Sequence, residues 1–176
     1  MIWLFILLVM LLVASPVMWL KPSPRQKRVA TLRNAAMQRG LKVALRVPPL
    51  HGDTVPMPAY RWHYPPQQPG PDFMLVRDSY AADALKPFGH GWRWRKEPLR
   101  GLPEALEARL KRLVERLPQD ALVVESDTAA LTLWWHESQG FERFSTYLED
   151  FQALRDGLAR RPDHPQMSGP PAPPLV

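Results

Sequence analysis

No cysteine occurs in the chain, so neither a disulfide framework nor a thiolate-held metal centre is open to it, and the composition agrees with a reducing compartment. No charged residue stands among residues 1–20, and no acidic one among residues 21–50. Glycine is scarce, 9 in 176 residues, and builds no phosphate-cradling loop or dinucleotide fingerprint. The five histidines, His51, His63, His90, His136 and His164, never fall at the His-x-x-x-His or His-Glu-x-x-His spacing that brings two ligands to one metal ion. No catalytic, cofactor-binding or metal-ligating residue is therefore assigned, and no small-molecule substrate is implied. What the chain does carry concerns placement, architecture and partners.

The uncharged start is strongly apolar. Drawn as one helix at 1.5 Å per residue, residues 2–20 extend ~28 Å, close to the hydrocarbon thickness of a bilayer. Trp3 and Trp19 stand near its two ends, where indoles prefer the headgroup layer. A cleaved signal peptide would need a charged start, a shorter core and a small-x-small cleavage site. Here no Lys or Arg precedes the core, and the apolar run continues behind Ala14-Ser15-Pro16. The reading is an uncleaved, single-pass transmembrane anchor over residues 1–20.

Eight basic residues follow, Lys21, Arg25, Lys27, Arg28, Arg33, Arg39, Lys42 and Arg46, with no acidic counterpart before residue 51. The rest of the chain holds 15 basic against 17 acidic residues, so the net charge of +6 arises wholly in this segment. Cations beside an apolar span are retained on the cytoplasmic side and are drawn to anionic headgroups. This predicts a bacterial inner-membrane protein with its amino terminus outside and its bulk in the cytoplasm. Trp3, Trp19, Lys21, Arg25, Lys27 and Arg28 are then the membrane-surface residues, and the bilayer is a partner. Nucleic acid, the usual partner of a basic chain, is disfavoured because the excess is confined to thirty residues.

Ser23-Pro24 reads as a helix start and Gly40 as its stop, giving a basic juxtamembrane helix with Val29, Leu32, Ala36 and Met37 on one narrow apolar stripe. That stripe suits either a headgroup layer or the protein's own domain. Residues 41–47 alternate like a half-buried strand. Residues 48–71 hold eight prolines, so only short regular pieces are expected there, the one strand being 59–64. Further strands are expected at 73–77 and 91–96, and a hairpin at 121–125 and 130–136 joined by Ser126-Asp127-Thr128. Leu106, Leu110, Leu113, Val114 and Leu117 make one side of a helix over 102–117. Phe141, Phe144, Leu148, Phe151 and Leu154 do the same over 141–158. The expected fold class is α+β: an N-terminal transmembrane helix, a basic juxtamembrane helix over 21–40, then a domain over 41–161 with a small antiparallel sheet packed by two amphipathic helices. A proline-rich insert, 48–71, interrupts the domain, and a disordered proline-rich tail, 162–176, ends the chain.

His136-Glu137 offers an acid and a base side by side, but neighbours on a strand point to opposite faces and do not converge. Ser126-Asp127-Thr128 reads as turn chemistry. The most unusual cluster is Trp92, Trp94, Trp134 and Trp135 among Arg93, Arg95 and Lys96. On one strand Trp92 and Trp94 share a face and Arg93 and Arg95 the other, so core indoles with a solvated basic face are favoured over a binding platform. Trp134 and Trp135 point oppositely, so one of them is expected outside the face that the helices cover.

The apolar run ending Ser15-Pro16-Val17-Met18-Trp19-Leu20, then Arg25-Gln26-Lys27-Arg28, Arg39-Gly40-Leu41, Trp92-Arg93-Trp94 and Leu133-Trp134-Trp135-His136-Glu137 form a pattern that resembles small proteobacterial single-pass membrane proteins labelled YajC-like preprotein translocase subunits. The resemblance implies a single anchor followed by a basic segment. The glycine-rich segment of YajC itself has no match at Leu41-Lys42-Val43-Ala44-Leu45, so the resemblance implies topology and no translocation role. Function is accordingly expected to be non-enzymatic: a cytoplasmic scaffold domain that binds another membrane or cytoplasmic protein, with Trp92, Trp94, Trp134 and Trp135 as candidate partner-binding residues. The alternative is recruitment of anionic lipid or nucleic acid through the basic segment.

Overall fold

Ser23 and Pro24 start the first long helix for separable reasons. The Ser23 hydroxyl accepts the Gln26 N–H at 3.2 Å while the Gln26 side chain accepts the Ser23 N–H at 2.8 Å, a reciprocal capping box, and Pro24 brings a pre-set φ to the first turn. The helix, α1 (Pro24–Gln38), ends where Gly40 takes φ +83°. There the Gly40 N–H bonds the Met37 carbonyl and the Leu41 N–H bonds the Ala36 carbonyl, closing a Schellman motif with Leu41 buried beneath it. The computed structural model describes residues 2–4, 6–10, 23–50, 52 and 54–163.

After α1 come β1 (Lys42–Arg46), β2 (Met57–His63), β3 (Phe73–Arg77), a 3₁₀ turn at Asp78–Tyr80, β4 (Pro87–Gly89), β5 (Trp92–Lys96), α2 (Glu104–Arg116), β6 (Ala121–Ser126), β7 (Ala130–Trp135) and α3 (Phe141–Leu158). The strands form one antiparallel sheet of seven in the order β1-β2-β7-β6-β3-β5-β4. The sheet is larger than the small one expected, and three helices rather than two pack on it. β4 is an addition: its proline argues against a strand, yet it lies at the sheet's edge, where a missing N–H costs no ladder bond.

Period-two alternation divides the sheet's side chains between two cores. On the helix side, Tyr60, Trp62, Leu75, Trp92, Leu131, Leu133 and Trp135 meet Leu32 and Ala36 of α1, Leu110, Leu113 and Val114 of α2, and Phe144, Phe151 and Leu154 of α3. The rings order one another: Trp135 stacks on Phe144 at 5.1 Å between centroids and Trp62 on Phe151 at 4.3 Å. The opposite face carries a smaller cluster of Leu50, Met57, Ala59, Val76, Leu122, Val123 and Trp134. A register shift between Ala121 and Val123 lets the consecutive Leu122 and Val123 both join it. The prolines at 48 and 49 fold over this face with Leu50, held by Arg95 Nη1 donating to the Pro49 carbonyl at 2.6 Å.

Buried polar groups close the fold. Arg77 is 8 % exposed and donates to the carbonyls of Ala121 at 3.0 Å and Pro118 at 2.7 Å beyond the end of α2. Burial lowers its pKa. Trp92 lies under it, 4.5 Å from guanidinium carbon to ring centroid, and donates its indole N–H to the Val114 carbonyl at 3.2 Å. In a continuing helix that carbonyl would receive the N–H of residue 118, but residue 118 is proline. The indole supplies the donor that the chain lacks.

The spanning helix expected over residues 1–20 is not supported. Among the described residues no helix is long and apolar enough to cross a membrane. The described helical pieces of that stretch are residues 2–4 and 6–10, and a helix from residue 2 to residue 10 rises only ~12 Å against ~30 Å of hydrocarbon. Residues 11–22, with Trp19 and Lys21, lie outside the described residues, as does the tail from residue 164. The single-pass, transmembrane and inner-membrane assignments are therefore withdrawn, and with them the basis for the amino-terminus-out orientation and for a membrane-surface role of Trp3, Arg25, Lys27 and Arg28. The apolar stripe of α1 has a different use: Leu32 and Ala36 are fully buried against the sheet.

Candidate binding surface

The four indoles singled out from the sequence do not form an exposed platform. Trp92 and Trp135 are 1 % and 0 % exposed in the helix-side core, and Trp94 is half-buried edge-on to Phe73 and Phe88. Trp134 does point to the face without helices, yet it is only 6 % exposed, roofed in the cluster that holds Leu50. The basic partners on β5 are also engaged: Arg93 pairs with Asp78 at 3.0 Å and Lys96 with Asp72.

Register places a polar row across the helix-free face. Lys42, Arg61, Thr132, Glu125, Met74 and Lys96 stand opposite one another on β1, β2, β7, β6, β3 and β5. Alternation is the cause, since Arg61 lies between the core residues Tyr60 and Trp62, and Thr132 between Leu131 and Leu133. Arg61 Nη2 pairs with Asp127 at 3.0 Å, and the Asp127 carboxylate also accepts the N–H groups of Ala129 and Ala130 in the hairpin turn. Arg61 Nε is buried and has no hydrogen-bond partner among the described residues. Arg61, Thr132, Glu125 and Asp127 line a cavity of about 320 Å³ together with Arg46, Val47, Pro49 and Trp134. Burial raises the Glu125 pKa, although the Trp134 indole N–H, 3.1 Å away, donates to its carboxylate and opposes the shift. His63, beyond Arg61 on the same face, has its pKa lowered by burial and then by Lys42 and Arg61.

The row opens at β1 onto the basic segment. Arg25, Lys27, Arg28 and Arg39 of α1 and its cap, and Lys42 and Arg46 of β1, are all exposed, and among the described residues none makes an ion pair. Among the described residues of this segment, only Arg33 is neutralised. Its Nε and Nη2 donate to the two carboxylate oxygens of Glu137 at 2.7 and 2.8 Å, and Tyr60 Oη donates to the same carboxylate at 2.8 Å. Glu137, 3 % exposed, is the residue whose role the sequence hid. On a continuing strand His136 and Glu137 would point to opposite faces, but β7 ends at Trp135 and Glu137 adopts φ +58°, which turns its side chain under α1. The pair raises the Arg33 pKa, and burial raises that of Tyr60. His136 is exposed and takes no part.

Among the described residues no group of three or more His, Asp or Glu side chains is placed to hold a metal ion. The chain matches no family model, no curated protein and no solved structure. The resemblance to the YajC-like group thus adds nothing to the reading of the site.

Proposed function

We propose that this protein is a non-enzymatic binding module that captures an acidic segment of a partner protein on the flank formed by α1 and β1. The observation that carries it is the set of six exposed cations that have no acidic partner among the described residues, held on two elements that pack on each other and are pinned to the sheet by Arg33 and Glu137. A folded surface left with one sign of charge attracts the other and raises the encounter rate with it. Nucleic acid is the less suitable anion. Non-specific single-strand binders stack bases on exposed aromatic rings, and here Trp62, Trp92, Trp134 and Trp135 are buried.

The test is fluorescence anisotropy with a labelled glutamate-rich peptide and, separately, a single-stranded oligonucleotide of equal charge. The peptide is expected to bind in a salt-dependent manner and to lose at least tenfold in affinity in the Lys42→Glu/Arg46→Glu protein. Equal binding by the charge-reversed protein, or a clear preference for the oligonucleotide, would sink the proposal.

A further inference from the structure

We infer that the acidic segment is received as an added strand on the outer edge of β1. This rests on the reading of the α1 and β1 flank as the binding surface and specifies how it works. β1 lies at one end of the sheet and, among the described residues, pairs only with β2, so one side of its backbone presents free N–H and C=O groups. A peptide supplies the complementary ladder, whereas a polyanion without amides does not.

Side-chain alternation on β1 writes the preferred sequence of the guest. Lys42, Ala44 and Arg46 stand opposite Arg61, Ala59 and Met57 on the helix-free face, so acidic guest residues at every second position meet Lys42 and Arg46. Val43 and Leu45 point to the helix side. Val43 reaches the main core, but Leu45 is 59 % exposed, so the guest residues between the acidic ones are apolar and cover it. A second copy of the chain fits poorly: antiparallel pairing about Ala44 sets Lys42 against Arg46 twice, like charge against like. The chain's own described elements offer no substitute, since each remaining strand already has its place in the sheet.

The full-length protein is titrated with an acetylated octapeptide of alternating glutamate and valine, and amide hydrogen exchange is followed across residues 42–46. Those β1 amides not bonded to β2 are expected to exchange at least tenfold more slowly in the complex. A peptide of the same composition with its glutamates and valines in blocks is expected to bind at least fivefold more weakly. N-methylation of alternate peptide amides is expected to abolish binding in one phase and not in the other. If Lys42→Gln/Arg46→Gln weakens binding while β1 exchange and N-methylation have no effect, strand addition is overturned and the charged-flank reading stands. Should that variant bind as well as the parent with its thermal midpoint kept, the flank reading itself fails. Slow exchange at β1 without peptide, accompanied by a sedimenting dimer, makes a second copy the occupant and overturns the acidic one.

Discussion

Arg33 and Glu137, 104 positions apart in the chain, meet as a two-pronged ion pair that fastens α1 across the end of the sheet. The partners are unequally buried: the Glu137 side chain is 4 % exposed and that of Arg33 31 %. Removing either one therefore has different consequences. Arg33→Met strands a carboxylate that cannot reach water, with only Tyr60 still donating to it, and a loss of about 3 kcal/mol is expected. Glu137→Gln leaves a guanidinium that can turn to solvent and keeps an oxygen for Tyr60, at about 1 kcal/mol. Urea midpoints of the two variants check the order. A Glu137→Gln loss as large as that of Arg33→Met would contradict it.

Two fully buried indoles allow a hydrogen bond to be weighed by the same substitution. Trp92 Nε1 donates to the Val114 carbonyl, while Trp135 Nε1 is buried with no partner among the described residues. Replacing either with Phe removes similar volume, but only Trp92→Phe strips the donor from a helix-terminal carbonyl that Pro118 cannot serve. Trp92→Phe is expected to destabilise by about 1 kcal/mol more than Trp135→Phe. Equal denaturation midpoints would show that the end of α2 is satisfied in another way.

Periodicity carried much of this architecture. The stripes of α2 and α3, the Ser23-Pro24 start, the Gly40 stop and the hairpin around Asp127 all rest on local patterns, and each is found where its pattern places it. What escaped depends on contacts distant in sequence or on a departure from regular geometry. Glu137 was misplaced because one positive φ undoes the alternation of β7. Pro48 and Pro49 read as an insert, yet the Arg95 clamp folds them over the helix-free face. The length and hydropathy of residues 1–20 measured what a continuous helix would span, a condition that the described pieces do not meet. The proposed binding surface is legible in the sequence as charge and illegible as geometry: the cations stand in the sequence, but only the register shows that Lys42 and Arg46 share one face of a strand that, among the described residues, lies at the sheet's edge.

Two glycines make opposite demands. A Cβ on Gly70 would come within 2.2 Å of Cζ at the hydroxyl end of the Tyr64 ring, which is fixed by its hydroxyl to Ser126 Oγ at 2.8 Å, while Ser126 in turn donates to the Pro71 carbonyl. On Gly157 a Cβ would meet the tip of Leu106, which can change rotamer, and the site lies within α3, where alanine is favoured over glycine by about 1 kcal/mol. Gly70→Ala is expected to cost about 2–3 kcal/mol and Gly157→Ala less than about 1 kcal/mol. Thermal midpoints decide, and a harmless Gly70→Ala would mean that the Tyr64 ring is free to move.

Glu125 ties the cavity to pH. Burial beside Trp134 raises its pKa in the folded protein, so the folded state holds this proton to higher pH than the unfolded chain does. Below the ordinary glutamate range both states are protonated and the contribution to stability is complete. As pH rises through that range towards the folded value, the unfolded chain releases its proton first and stability is lost. Glu125→Gln removes the titration while retaining an oxygen for the Trp134 indole N–H. Its stability relative to the parent protein is therefore expected to improve between pH 4 and pH 7, read from urea midpoints at both values. A difference that stays constant, or that favours the parent at pH 7, would show that Arg61 outweighs burial and holds this carboxylate ionised.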